Sequence, residues 1–195
     1  WRLRRSARGL SIETSRRTPP VVEPVTGSVV GMSDLVHLRS SSTSVVVDSA
    51  TGIPKILHWG YPLDDTDLPV DWSRPPVTYG AIDSVAPVTV LPMHGDGYPG
   101  RPGLLGHRRG GRHWAPRFRT ESSRTESSPE RQALVVVAVD PTAQLTVSTT
   151  IAVTSDGVLL LDVELSNDGD SPYMLDALTP ALPVPSTADQ LMMFA

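Results

Sequence analysis

Between Leu134 and Asn167 the chain reads as three consecutive strands, and no other stretch constrains the fold so tightly. Leu134–Val139 is a continuous apolar run, the pattern of a strand covered on both faces. In QLTVSTTIAV, Leu145, Val147, Ile151 and Val153 fall on one face of an extended chain. Asp156-Gly157 follows as a strong short-range hairpin signal. On the return, Leu159, Leu161, Val163 and Leu165 face inward while Asp162 and Glu164 face out. Asn167-Asp168-Gly169 then marks another turn.

The rest of the pattern agrees with this block. DLVHLR (34–39) and SVVVD (44–48) are short β-branched runs, and Thr51-Gly52 marks a turn after them. IPKILHWG (53–60) predicts a further strand. PVTVLP (87–92), bounded by prolines, predicts an edge or short strand. The chain has 19 prolines in 195 residues, about twice the usual share, which disfavours long helices. The expected fold class is all-β, an antiparallel β-sandwich.

Composition narrows the function classes. There is no cysteine, so a disulfide framework, a thiol nucleophile and a Cys-based metal site are excluded. This fits a cytoplasmic protein. The net charge of −4 is unevenly spread. Residues 1–31 hold six Arg against two Glu, whereas the remainder holds 11 basic and 19 acidic residues. An acidic body is a poor match for a phosphate backbone, so no nucleic-acid partner is expected. No apolar run reaches the length of a membrane span, so no membrane partner is expected either.

Residues 1–31 are rich in Arg, Ser, Thr and Pro and carry no sustained periodicity. They are expected to be a disordered or spurious extension, with domain-like sequence from Met32 through residue 195. Their Arg residues are followed by no apolar stretch, so a secretory signal is not expected. A transit peptide or a basic arm is the functional alternative. The end, LPVPSTADQLMMFA, reads as a helix or linker cut short.

His94–Phe118 is the least core-like stretch. It holds seven glycines, five arginines, His94, His107, His113, Tyr98 and Trp114, without apolar periodicity. Long irregular loops in compact domains are usually functional or disordered. The aromatics argue against disorder, so the segment is expected to be a shaped binding loop. Its histidines match no compact zinc spacing, and no metal site or other cofactor is expected. Its glycines lack the P-loop Lys-Ser/Thr and any βαβ context, so they are better explained by unusual backbone angles than by a phosphate cradle. No GxSxG elbow supports Ser-His-Asp hydrolysis.

Three blocks in order carry a resemblance to a known family. They are ILHWG (56–60), GYPGRPGLLGHRRGGRHWAPRF (97–118) and NDGDSPYMLDALTPALPVPSTADQLMMF (167–194). Together they resemble the N-terminal domain of bacterial family 36 glycoside hydrolases, the α-galactosidases, over residues 32–195. The resemblance implies a β-supersandwich that precedes a (β/α)8 barrel. It also implies that both catalytic aspartates belong to that barrel, so no catalytic residue is assigned in this chain. An α-galactoside would be bound only together with the barrel, and the full-length enzyme is expected to be a homo-oligomer.

The resemblance also frames the candidate residues. Asp64, Asp65 and Asp67 form an acidic cluster after Trp59. The cluster reads either as a solvated turn or as a source of hydroxyl acceptors at the edge of a sugar pocket. Trp59, Asp64 and Asp65 are the substrate-binding candidates. Trp59, Trp72, Tyr98 and Trp114 could stack on sugar rings or fill a core or interface. Tyr98, His107, Arg108 and Trp114 are the loop and interface candidates, and the His107-Arg108 pair is expected to organise the loop or meet another subunit. The expected role is a non-catalytic N-terminal domain, and the alternative is a free-standing carbohydrate-binding module.

Overall fold

The apolar alternation seen in the sequence becomes a four-stranded antiparallel meander in the computed structural model, which describes residues 35–65, 68 and 88–184. The expected tail 1–31, Asp67, Trp72 and the segment 185–195 lie outside the described residues. Three strands open the described part: β1 (Leu35–Arg39), β2 (Ser44–Asp48) and β3 (Lys55–Gly60), paired antiparallel in that order. β4 (Leu104–Arg108) pairs with β9 (Tyr173–Leu178) in a two-stranded sheet. The meander is β5 (Arg119–Ser127), β6 (Arg131–Asp140), β7 (Leu145–Thr154) and β8 (Leu159–Asn167). No α-helix occurs among the described residues, and two 3-10 turns stand at His94–Asp96 and Arg109–Gly111.

All three sheets give side chains to one core. Leu38, Val45, Val47 and Ile56 come from the first sheet, and Leu104 and Tyr173 from the β4–β9 pair. Leu134, Val136, Val147, Ile151, Val163 and Leu165 come from the meander. The alternation holds where expected: Leu145, Val147, Ile151 and Val153 are buried on one face of β7, and Asp162 and Glu164 of β8 are exposed. Gly157 closes the β7–β8 turn at φ 85°, where a side chain would be strained.

Two expectations are corrected. Val88–Met93 is not a strand, although Val90, Leu91 and Met93 are fully buried. Its backbone groups go to separate partners and make no ladder. Val90 donates to the carbonyl of Pro54, Ala181 donates to that of Val90, and Gly103 donates to that of Pro92. Pro92 cannot donate, which interrupts continuous pairing. The second correction concerns 94–118, expected to be irregular throughout, which contains β4. In LLGHR, Leu104, Gly106 and Arg108 alternate inward. The period is hidden in the sequence because its middle member is a glycine and its last is an arginine.

Candidate functional site

The strand parity of the first sheet decides where Trp59 and the Asp cluster go. Val45 lies opposite both Leu38 and Trp59, and all three belong to the core side. His37, Arg39 and Ser44 belong to the other face. After Gly60 the chain turns back across that face. Leu63 is buried there, and its N–H donates to Ser44 Oγ at 2.9 Å.

Asp65 is fixed on this face by two cations or potential cations. Its carboxylate lies 2.9 Å from His37 Nδ1 and 3.3 Å from Arg39 Nη1. His37 Nε2 lies 2.9 Å from Ser44 Oγ. The Ser44 oxygen already accepts from Leu63, so its hydroxyl hydrogen is free to go to His37 Nε2. That leaves Nδ1–H to donate to Asp65, which sets the tautomer. The hydrogen bond from His37 holds the Asp65 carboxyl below the ordinary carboxylate value of 3.8, against partial desolvation and with the help of Arg39.

Asp65, His37 and Ser44 thus stand in the hydrogen-bonding order of a hydrolase triad, but the chemistry is closed. Ser44 is 0% exposed and one of its lone pairs is occupied, so no carbonyl carbon can approach it. The chain of bonds instead clamps the 61–65 segment to β1 and β2. Asp64, next to the clamp, is exposed. The expected trio is therefore divided: Asp64 and Asp65 share a segment, while Trp59 packs against the core on the opposite side of the sheet. His37, Arg39 and Ser44 were not singled out in the sequence. Their signal was the i, i+2 spacing of His37 and Arg39 in DLVHLR, which places both on one strand face.

The 94–118 segment builds a second assembly. Arg108 of β4 is 5% exposed and points inward. Nε and Nη2 both donate to the carbonyl of Ala143, at 3.1 and 2.7 Å. Nη2 also donates to Asn167 Oδ1 at 2.8 Å, and Nη1 donates to the Ser171 carbonyl and hydroxyl. The guanidinium thus joins β4 to the β6–β7 and β8–β9 turns and lies 5.9 Å from the ring centre of Tyr173. Burial pushes the Tyr173 phenol up to about 12, with the Arg108 charge opposing it. His107, which also belongs to this strand, is half-buried, with Nδ1 2.9 Å from the carbonyl oxygen of Arg108.

Beyond Arg108 the chain reaches an exposed tip. Arg108 and Arg112 form an isolated bridge around the Arg109–Gly111 turn. Trp114 is 61% exposed and meets the His94 ring edge-on at 5.8 Å. His94 Nδ1 is 3.0 Å from the Tyr98 carbonyl oxygen, which gathers Tyr98, His94 and Trp114 at one place. Among the described residues no three His, Asp or Glu side chains gather to hold a metal ion. No helix there is long and apolar enough to cross a membrane.

Comparison with known proteins places this geometry. The glycosyl hydrolase family 36 N-terminal domain matches residues 52–195. No curated protein matches the chain. Among solved structures, the family 36 α-galactosidase AgaB from Geobacillus stearothermophilus superposes with a TM-score of 0.57 at 18% identity, over 76% of this chain and 23% of its own. AgaA from the same organism gives 0.59 at 17% identity, over 75% and 24%. An AgaA variant in complex with raffinose gives 0.56 at 16% identity, over 75% and 24%. At these identities the likeness is one of fold, and the chain spans about a quarter of the length of each structure. With three quarters of its residues matched, the chain belongs to the glycosyl hydrolase family 36 N-terminal domain.

Proposed function

We propose that this chain is the non-catalytic N-terminal β-sandwich of an α-galactosidase-like enzyme, shaping the sugar pocket and the subunit contacts around a catalytic barrel. The observation that carries this reading is the family match over residues 52–195. The geometry refines it. Asp65 is committed to His37 and Arg39, so it acts as a strut, and the exposed Asp64 beside it is the carboxylate free to accept sugar hydroxyls. An α-galactoside such as raffinose, bound by a structural relative, is the proposed substrate class of the whole enzyme. The Tyr98–Trp114 tip is the proposed contact with the barrel or a neighbouring subunit of a homo-oligomer.

A retaining glycosidase needs one carboxyl group that stays protonated beside a second that stays ionised. Asp65 is held below the ordinary range, so it is ionised at neutral pH and cannot act as the acid. The purified chain is therefore expected to give no turnover of a chromogenic α-galactoside. Turnover that Asp64→Ala or Asp65→Ala abolishes would overturn the non-catalytic reading. When the chain is placed ahead of a family 36 barrel, Asp64→Ala is expected to raise KM for raffinose about tenfold with kcat little changed. An unchanged KM would remove Asp64 from the pocket.

A further inference from the structure

A cleft of about 780 Å³ opens on a different part of the molecule from the Asp65 clamp. The β2–β3 connection, the His94–Asp96 turn with Gly97, Thr89 and the start of β5 border it. Gly52 and Phe118 come so close there that a Cβ on Gly52 would lie 2.3 Å from the Phe118 carbonyl oxygen. That approach joins two sides of the cleft.

Its lining is cationic in a chain whose net charge is −4. Lys55, Arg117 and Arg119 line it against a single carboxylate, Asp96. Lys55 is partly spent on Asp48, 3.7 Å away. Arg117 spends Nε on the Gly95 carbonyl at 2.5 Å. Arg119 is exposed, and its guanidinium makes no hydrogen bond or ion pair among the described residues. Thr89 borders the cleft, but its hydroxyl oxygen is buried and finds no hydrogen-bond partner among the described residues.

A guanidinium with unspent donors favours planar or tetrahedral oxyanions, which it can hold through two parallel bonds. The volume is that of a small-molecule site and exceeds what a bare ion fills. We propose that this cleft binds a sugar-sized polyol carrying an oxyanion, with Arg119 and Arg117 on the anion and Asp96 on hydroxyls. As a carboxylate, Asp96 accepts hydrogen bonds from hydroxyls. Desolvation lifts its carboxyl above the ordinary range, against the pull of Arg117 and Lys55, so it is more readily protonated than a free carboxyl. This site is independent of the α-galactoside reading, since it shares no residue with the Asp64–Asp65 segment.

Calorimetric titration of the full chain at low salt tests the proposal, with glucose 6-phosphate, glucuronate and glucose as probes. Saturable binding of at least one anionic probe is expected, at least tenfold tighter than glucose. Glucose 6-phosphate alone would mark a phosphate-ester site, and glucuronate alone a carboxylate site. Arg119→Gln is expected to weaken the bound probe at least tenfold, while Arg131→Gln, remote from the cleft, leaves it unchanged. Arg119 is exposed, so its variant is expected to keep the wild-type melting temperature. No saturable binding of either anionic probe, equal binding of glucose, or indifference to Arg119→Gln overturns the proposal.

Discussion

Arg108 is a buried guanidinium whose partners are carbonyl and amide oxygens and a hydroxyl, with no carboxylate among them. A charge taken from water is costly unless its donors are met, and here acceptors from three turns and strands meet them. The motif His107-Arg108 pointed to this residue, but its partners lie 35, 59 and 63 residues away in sequence. Local pattern carries no trace of such separations, and the same holds for His37 and Asp65, 28 residues apart. Tyr173 beside Arg108 gives a measurable consequence. Its phenol has an ordinary value of 10.0 and is raised in the fold to about 12. Between those values the unfolded chain has lost a proton that the folded chain keeps, so stability falls as pH rises. The contribution is fully present below pH 10 and is lost progressively up to about pH 12, amounting to about 3 kcal/mol. Denaturant unfolding at rising alkaline pH is expected to show this fall, and Tyr173→Phe is expected to be flatter. Parallel pH profiles for the two proteins would show that the phenol is not perturbed.

At the scale of elements, the sequence displayed the strands whose two faces differ and hid those whose faces do not. β6, β7 and β8 were legible because Leu and Val alternate with polar residues or run unbroken. β5, RTESSRTES, is polar along its length and is a strand only because β6 pairs with it from Arg119↔Val139 to Ser127↔Gln132. An edge strand of this composition is also a poor template for aggregation. β4 was hidden by Gly106, which is small for a tertiary reason. A Cβ there would lie 2.5 Å from the Tyr173 ring and 2.6 Å from the Met174 carbonyl oxygen. Gly106→Ala is therefore expected to cost about 2–3 kcal/mol, because both the ring and β9 are packed and cannot retreat. Gly110 is the contrast. It lies at φ 75° with nothing within 4 Å of its Cβ position, so Gly110→Ala is expected to cost only about 1 kcal/mol of backbone strain. Equilibrium unfolding of the two variants separates steric from conformational cost. Equal losses would mean that β4 and β9 can part to admit a methyl group.

For the molecule as a whole, the core is contiguous across three sheets, and the 94–118 segment carries that core outward into an exposed aromatic tip. Its inner half is bound by Arg108 and by Arg117, whose N–H donates to Asp140 Oδ2 at 2.8 Å. Its outer half, with Arg109, Arg112 and Trp114, is exposed. A tryptophan 61% exposed at the end of a well-anchored segment presents apolar surface of the kind that promotes self-association. The only ring contact found for Trp114 among the described residues is the edge-on one with His94, whose loss is worth about 1 kcal/mol. Trp114→Ser is therefore expected to reduce self-association of the isolated chain in sedimentation velocity, with a stability loss of about 1 kcal/mol or less by denaturant unfolding. A variant that unfolds would make Trp114 a residue of the packed interior. A folded variant that self-associates as strongly as the parent would move the sticky surface elsewhere, with the exposed Val158 and Leu160 of the β7–β8 hairpin as the next apolar group to change.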